Sequence, residues 1–354
     1  MNIDNHHNKL YSKAYKFLEN LKGKSILLTG MTGLFGIPMI EFLCRFKESI
    51  NDQTKIYILS RNRVQFIHKY SQKSFHKFNF VEIIEGDIKD FSFNYDVDFI
   101  IHGASTSNRE KFEGISASER FDIIFSGTKN IIDIAESSKA QKVLFVSSGS
   151  VYGGTNQEKK IKTNERVMNA PDVINDSEAC YSEGKRVAEL MLSIASKEKN
   201  LNFSIARCFS FVGPGIPLDI NYSIGNFIGD ALFSDSIKLT GDGSPVRSYM
   251  YTYDLAVWLL CILTNSNNKS VYNVGSDEEV SILNLAKKVG SVLNPNIVIN
   301  RNMGSIKGVV NSSASNYYVP DISKARNELG LQIYTSLKDS ILLTALHEKN
   351  DLLC

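Results

Sequence analysis

A chain of 354 residues, 43% hydrophobic and 22% charged, can bury a full core and has the composition of a globular enzyme. Its formal charge of +2 provides no broad basic surface for nucleic acid or acidic lipid, so neither is expected as a partner. No apolar run reaches the roughly 18 residues of a membrane span, and the polar start "MNIDNHHNKLYSKAYKF" lacks a signal-peptide core. Five scattered cysteines (Cys44, Cys180, Cys208, Cys261, Cys354) form no CxxC pair and read as reduced thiols, which points to the cytoplasm. His6 and His7 adjoin without further ligands, and no metal site is expected.

The spacing of Leu10, Ala14, Phe17, Leu18 and Leu21 predicts a leading helix over residues 8–21. "SILLTG" from Ser25 is a continuous apolar run ending in glycine, the pattern of a strand buried on both faces. A helical pattern follows through Met39, Phe42, Leu43 and Phe46. Further strands are predicted at 55–60, 80–88, 98–104 and 142–148, with a helix over 121–138 between the last two. Strands alternating with helices imply a parallel, doubly wound sheet. Beyond Gly154 comes a polar loop, then a helix over 181–198 and the strand "FSIARCF". A helix near 224–233, strands "SIKLTG" and "SVYNVG", and helices near 281–293, 321–329 and 337–348 complete the chain.

"LLTGMTGLFG" sets Gly30, Gly33 and Gly36 between the first strand and the next helix, with Thr32, Leu34 and Phe35 among them. The first glycine permits a tight turn, the second lets backbone approach a pyrophosphate, and the third allows close helix–strand packing. The helix N-terminus adds free N–H donors. At the end of the second strand, "LSRNR" carries no acid for a ribose hydroxyl. Ser60, Arg61 and Arg63 suit a 2′-phosphate instead, so NADP(H) is favoured and NAD(H) stays open.

The GxxGxxG spacing resembles that of the short-chain dehydrogenase/reductase superfamily, and the length resembles its extended branch, the NAD(P)-dependent sugar-nucleotide epimerases and dehydratases. The resemblance covers residues 23–345. It implies that Asp87 and Ile88 of "EGDI" contact adenine. It also implies that His102, Gly103 and Ala104 of "HGAS" run along the cofactor, with Ser105 on the substrate side.

"CYSEGKRVAELML" holds Tyr181 and Lys185 four apart, on one helix face. Free tyrosine ionises near pH ~10, and a neighbouring ammonium, joined by the positive charge of an oxidised nicotinamide, is expected to favour its phenolate. In "VSSGSVYGG" the strand ends in hydroxyls, and Ser148 matches the family's catalytic Ser/Thr. Ser148, Tyr181 and Lys185 are thus the implied catalytic residues, and Tyr181 and Lys185 also contact the cofactor. Sugar-nucleotide 4,6-dehydratases similar to this chain carry Asp-Glu after that Ser/Thr, and uronate decarboxylases keep a Glu there. Gly149 and Ser150 stand here instead, which disfavours elimination, although "CYSEGKRVAE" looks most like the helix of a uronate decarboxylase. In a lyase, Glu183 is the candidate acid.

"ARCFSFVGPG" resembles the segment that meets the substrate, with Ser210 replacing the family's asparagine. Asn226 of "IGNFIGDAL" and Arg247 of "GDGSPVRSYMYTYDLA" match residues that hold the diphosphate. Ile124 stands where related epimerases have asparagine. The expected fold is α/β, a doubly wound parallel Rossmann sheet with a smaller mixed α/β C-terminal substrate domain. Its expected parts are an N-terminal helical extension (1–22), a dinucleotide-binding domain (23–210, receiving the strand near 270–275) and a mainly sugar-nucleotide-binding domain (211–354). The expected activity is redox at C4 of a nucleotide-diphosphate sugar, by a 4-ketoreductase or 4-epimerase serving surface polysaccharide precursors. The alternative is a 4,6-dehydratase or a UDP-glucuronate decarboxylase-like lyase. The resemblance also implies a homodimer through the helices near 121–138 and 181–198.

Overall fold

Seven apolar runs make the central layer of the molecule. The computed structural model describes residues 2–50, 53–71, 81–106, 114–153, 160–167, 169–174, 177–220, 222–302 and 316–353. Phe80 and part of the polar loop after Gly153 lie outside them.

Strands β1 (Ser25–Thr29), β2 (Lys55–Ser60), β3 (Val81–Glu85), β4 (Phe99–His102), β5 (Lys142–Ser148) and β6 (Phe203–Cys208) come from the first part of the chain. The second part supplies β7 (Phe211–Val212), β8 (Ser236–Thr240), β9 (Val246–Arg247), β10 (Met250–Tyr251) and β11 (Ser270–Val274), then β12 (Val280–Ser281), β13 (Val298–Asn302) and β14 (Tyr317–Tyr318). The main sheet has the order β11-β6-β5-β4-β1-β2-β3, with every pairing parallel. After β3 the chain crosses back over β1 to place β4 on its other side. That reversal opens a crevice at the carboxyl ends of β1 and β4, the usual ligand position in such sheets.

Each face of the sheet buries its own apolar layer. Helices Ile3–Leu18, Gly36–Ile50 and Thr252–Asn265 cover one face with Leu10, Phe42, Phe46 and Trp258. Helices Ala117–Ser137 and Cys180–Glu198 cover the other with Ile123, Ile131, Ala188 and Leu192. A third cluster, including Phe227, Leu285 and Ile341, holds the smaller part together around helices Ser223–Phe233, Ile282–Leu293 and Leu337–Leu353. In this part β9 pairs with β12 and β14, β10 with β7, and β13 with β8.

The leading helix starts at Ile3 because the Asn2 side chain caps it, accepting from the Asn5 N–H at 3.1 Å. Helix Arg63–Ser71 follows directly from "LSRNR", where no helix was expected. From Thr252 to Leu263 every residue of its helix is buried. Such a helix shows no polar stripe in the sequence, so only its start was legible.

Candidate functional site

The glycine loop after β1 is shaped by what its glycines exclude. Gly30 has φ +75°, and a Cβ there would lie 2.3 Å from the carbonyl carbon of Gly103. A Cβ on Gly36 would lie 1.7 Å from the Met31 oxygen. Gly33 is exposed, with nothing within 4 Å of the place its Cβ would take. The outer glycines are thus locked by packing, while the middle one leaves bare backbone open to approach, a cradle that fits a dinucleotide pyrophosphate. Thr32 is exposed, Leu34 packs on two apolar clusters, and Phe35 meets Phe211 edge-on at 4.9 Å.

Around this loop the expected cofactor residues divide by what their side chains already do. Asp87 is half-buried, and its Oδ1 accepts from the Lys89 N–H at 3.0 Å. Ile88 is wedged against Gly127, where a Cβ would meet it at 2.8 Å. Ser60 donates to the Asn62 carbonyl at 3.0 Å and accepts from the Asn62 N–H at 3.3 Å, so its hydroxyl is engaged in its own turn. Arg61 and Arg63 are exposed. His102 is completely buried, with Nδ1 2.9 Å from the Thr29 hydroxyl and Nε2 3.2 Å from that of Thr128. Burial pushes its pKa down to about 3. The His102 side chain is thus a neutral strut between Thr29 and Thr128, and contact of this segment with a cofactor falls to its backbone. Gly103 and Ala104 remain at the strand end, with the Gly103 N–H donating to Thr29 O at 3.0 Å.

Ser148 ends β5, and its Oγ accepts from the Ser150 N–H at 3.2 Å, starting the short turn Gly149–Tyr152. The Tyr181 phenol, at the start of helix Cys180–Glu198, faces the Ser148 hydroxyl. Lys185 is one turn further on and 1% exposed. Its Nζ donates to Val146 O at 2.8 Å and lies 4.7 Å from the Phe145 ring centroid and 6.0 Å from that of Tyr181. The three residues meet, but their electrostatics depart from expectation. Burial raises the Tyr181 pKa to about 12, against the opposing influence of the Ser148 hydroxyl and the Arg120 charge. Burial likewise lowers Lys185 to about 8. In this low-dielectric setting the lysine proton is spent on a carbonyl, and desolvation outweighs the charge attraction expected between the pair.

Tyr318 escaped the sequence reading. From β14 its phenol reaches the turn after Ser148, 2.6 Å from where a Gly149 Cβ would lie, and its ring lies 4.6 Å from that of Phe209. The alternating "NYYV" marks a short strand, but nothing local links it to β5. Tyr318 is in register with Arg247 on β9, whose guanidinium carbon lies 5.9 Å from the Tyr318 ring centroid. Arg247 Nη1 donates to Val246 O at 2.9 Å, and burial lowers its pKa. Arg120 was missed as well: it is 5% exposed on helix Ala117–Ser137.

Two expected substrate residues present buried polar atoms with no hydrogen-bond partner among the described residues, Ser150 Oγ and Asn226 Oδ1. An unpaired buried polar atom costs about 1–3 kcal/mol, which a ligand can recover. Ser105 and Ser210 are half-buried, and the Ser210 carbonyl accepts from the Met250 N–H at 3.0 Å. Glu183, the candidate acid for a lyase, is paired with Arg186 at 3.4 Å. Ile124 is fully buried against Gly184, where a Cβ would meet it at 3.2 Å. Among the described residues no group of three ligating side chains could hold a metal, and no helix is long and apolar enough to cross a membrane.

Comparison with known proteins identifies the fold and the family. The chain is 26% identical over 324 residues to UDP-glucuronic acid decarboxylase 2 of Arabidopsis thaliana, covering 91% of this chain and 67% of the relative. It is 28% identical over 278 residues to UDP-glucuronic acid decarboxylase 1 of Danio rerio, covering 78% of this chain and 63% of the relative. A UDP-glucose 4-epimerase of Thermotoga maritima superposes with a TM-score of 0.74 at 20% identity, covering 93% of this chain and 99% of the epimerase. A dTDP-glucose 4,6-dehydratase of Streptomyces venezuelae, solved with NAD bound, superposes at 0.72 and 20%, covering 92% and 97%. The model of the NAD-dependent epimerase/dehydratase family matches residues 26–275, and the chain belongs to that family.

Proposed function

We propose that this protein oxidises and reduces C4 of a nucleotide-diphosphate sugar, as a 4-ketoreductase or 4-epimerase. The observation that carries this reading is the filled space beside Gly149. A Cβ there would lie 2.6 Å from the Tyr318 hydroxyl and 2.8 Å from Phe209 Cζ, so the sugar end of β5 is lined by hydroxyls and ring carbon instead of carboxylates. Glu183 and Glu189, on the helix that bears Tyr181, are engaged by Arg186 and Arg207. Among these described residues no uncommitted carboxylate is left to take a proton from C5, whereas chemistry at C4 alone needs only the phenol of Tyr181 for its proton.

In this reading Tyr181 exchanges the proton of the C4 hydroxyl. Ser148 hydrogen-bonds the same oxygen as it gains carbonyl character. Lys185 supplies positive charge beside them. A nicotinamide bound beside them would supply the hydride acceptor and donor. The Gly30–Gly36 loop, Asp87 with Ile88, and the backbone at Gly103 and Ala104 would hold that cofactor. Arg61 and Arg63 support NADP(H), and Ser60 adds nothing to that preference. Asn226 and Arg247 take the diphosphate, and Ser105, Gly149, Ser150 and Ser210 border the sugar.

A second reading, a uronate-decarboxylating lyase, is supported by the curated relatives. It shares the oxidation at C4. The resulting β-keto acid then breaks its C5–C6 bond, carbon dioxide leaves, the electron pair passes into the C4 carbonyl, C5 takes up a proton, and return of the hydride to C4 would give the pentose. One incubation separates the two. UDP-glucuronic acid, UDP-glucose and a nucleotide-linked 4-keto sugar are each mixed with NAD(H) or NADP(H) and followed by NMR. A C4 epimer, or a reduced sugar formed with equal loss of reduced cofactor, supports the first reading. Carbon dioxide and a pentose product assign the lyase, and a lack of turnover on all three substrates overturns both.

A further inference from the structure

Behind Ser148, on the reverse face of β5, lies a chain of buried polar side chains that the chemistry above does not use. The Ser147 hydroxyl donates to Glu189 Oε1 at 2.6 Å. Arg207 grips the same carboxylate twice, Nε to Oε1 at 3.0 Å and Nη2 to Oε2 at 2.6 Å, with the two side chains 16% and 11% exposed. The guanidinium carbon of Arg207 lies 4.8 Å from the Tyr152 ring centroid, and the Tyr152 hydroxyl donates to Asn273 Oδ1 at 2.6 Å. Asn273 Nδ2 in turn donates to the carbonyls of Thr163 and Asp321, at 2.8 and 3.1 Å. The chain therefore runs from helix Cys180–Glu198 past β5, β6 and β11 to the segment just after Tyr318.

A buried ion pair contributes little net stability, because desolvating both charges offsets their attraction. What it supplies is orientation. Glu189 stands one turn beyond Lys185 and two beyond Tyr181 on the same helix face. Holding its carboxylate bidentate, with Ser147 as a third contact, fixes the rotation and height of that helix against Ser148 next door. We propose that Glu189 and Arg207 are positioning residues of this centre: the pair clamps the Tyr181 helix to β5 and β6 and holds the Glu189 carboxylate one turn from Lys185.

The proposal rests on the catalytic reading of Ser148, Tyr181 and Lys185. The groups facing Lys185 are Tyr181 and Glu189 on its own helix, Cys208 on β6 and His102 on β4. Burial keeps the Cys208 thiol up at about 12 and His102 down at about 3, so both are neutral. The negative charge in this group is that of Glu189.

The test reads Lys185 directly, by NMR titration of its Nζ in the full, lysine-labelled chain without substrate, with K185R assigning the signal. E189Q removes the negative charge and keeps the shape, and is expected to lower the Lys185 titration by about one pH unit. R207Q leaves the carboxylate uncompensated and is expected to raise it by about as much. A pair that merely pins the core would admit water in either variant and move Lys185 upward in both. That result, or no shift in either, overturns the proposal. Should a single variant fail to fold, the E189Q/R207Q double keeps two facing amides. In it a loss of about tenfold in kcat at unchanged KM supports the proposal, and an unchanged kcat overturns it. The titration needs no turnover, so its outcome is separable from failure of the proposed reaction.

Discussion

Tyr318 and Gly149 share one space: the phenol oxygen stands 2.6 Å from where a Cβ on Gly149 would lie. The contact brings a strand of the smaller part of the chain onto the end of β5, where Tyr318 and Tyr181 both face Ser148. Adding a methyl group there forces the Tyr318 and Phe209 rings, or the turn at Gly149, to move. Gly149→Ala is expected to cost about 1–3 kcal/mol and to lower turnover at least about tenfold. Tyr318→Phe removes the nearest atom, so G149A/Y318F should be less destabilised than the sum of its parts. Urea melts of the four proteins check this, and strict additivity would show that the two residues do not compete for the space.

Tyr181→Phe deletes the proton-exchanging hydroxyl while keeping the ring among its neighbours. Turnover is expected to fall by about 100-fold or more. Dinucleotide affinity, measured by fluorescence titration, should stay within about twofold, because the glycine loop is untouched. Full turnover in this variant would remove the assigned chemistry.

Two buried histidines set the acid response of the fold. His7 stacks on Tyr253 at 3.5 Å between ring centroids and meets the Tyr251 hydroxyl at 2.8 Å, and burial lowers its pKa to about 3. His102 is lowered to about 3 in the same way. A base whose folded pKa is depressed binds fewer protons folded than unfolded, so its stabilisation is complete above the ordinary value of 6.5 and drains away as pH falls toward 3. Each group contributes a slope of about 1.4 kcal/mol per pH unit across that window. Asp254, raised to about 6 from 3.8 by burial, opposes one of them between those two values. His102→Gln should remove one histidine's share of the slope. Urea melts from about pH 7 to about pH 4 measure it, and an unchanged slope would place the acid sensitivity elsewhere.

The legible parts of this molecule were those whose signal is local. "KVLFVSS" coincides with β5, and the glycine triplet falls at the turn between β1 and its helix, because an apolar run and its punctuation lie within a few residues. The Tyr181–Lys185 spacing worked for the same reason. What failed was information held by neighbours remote in sequence. Nothing around His102 says that Thr29 and Thr128 will take both of its nitrogens. Nothing in "NYYV" says that its second tyrosine will reach Ser148. The sign of the Tyr181 shift depends on how dry the centre is, which only packing reveals.

Arg61 and Arg63 stand at the end of β2 and the start of the following helix, where the adenosine ribose of a bound dinucleotide is expected. If their guanidiniums bind a 2′-phosphate, R61A/R63A should weaken NADP(H) at least about tenfold and leave NAD(H) unchanged. Ser60→Ala should affect neither, since that hydroxyl serves the Asn62 turn. Calorimetric titration of both cofactors decides it, and equal affinities in the unsubstituted protein would end the NADP(H) preference.

Phe125, Leu190 and Ile194 are 39%, 59% and 45% exposed on the two neighbouring helices Ala117–Ser137 and Cys180–Glu198. Large apolar side chains grouped on adjoining helices favour a partner surface of the same kind, and a two-fold axis lets a second copy supply it as a four-helix bundle. The charged Lys199–Glu136 pair, 2.6 Å apart at the far end of these helices, would lie toward the rim of such an interface. L190E/I194E places two carboxylates on that surface and should convert a dimer to monomer in sedimentation at micromolar concentration. Because Lys185 and Tyr181 belong to the same helix, the monomer is expected to lose turnover more steeply than dinucleotide affinity. An unsubstituted chain that sediments as a monomer would show that this apolar surface has another use.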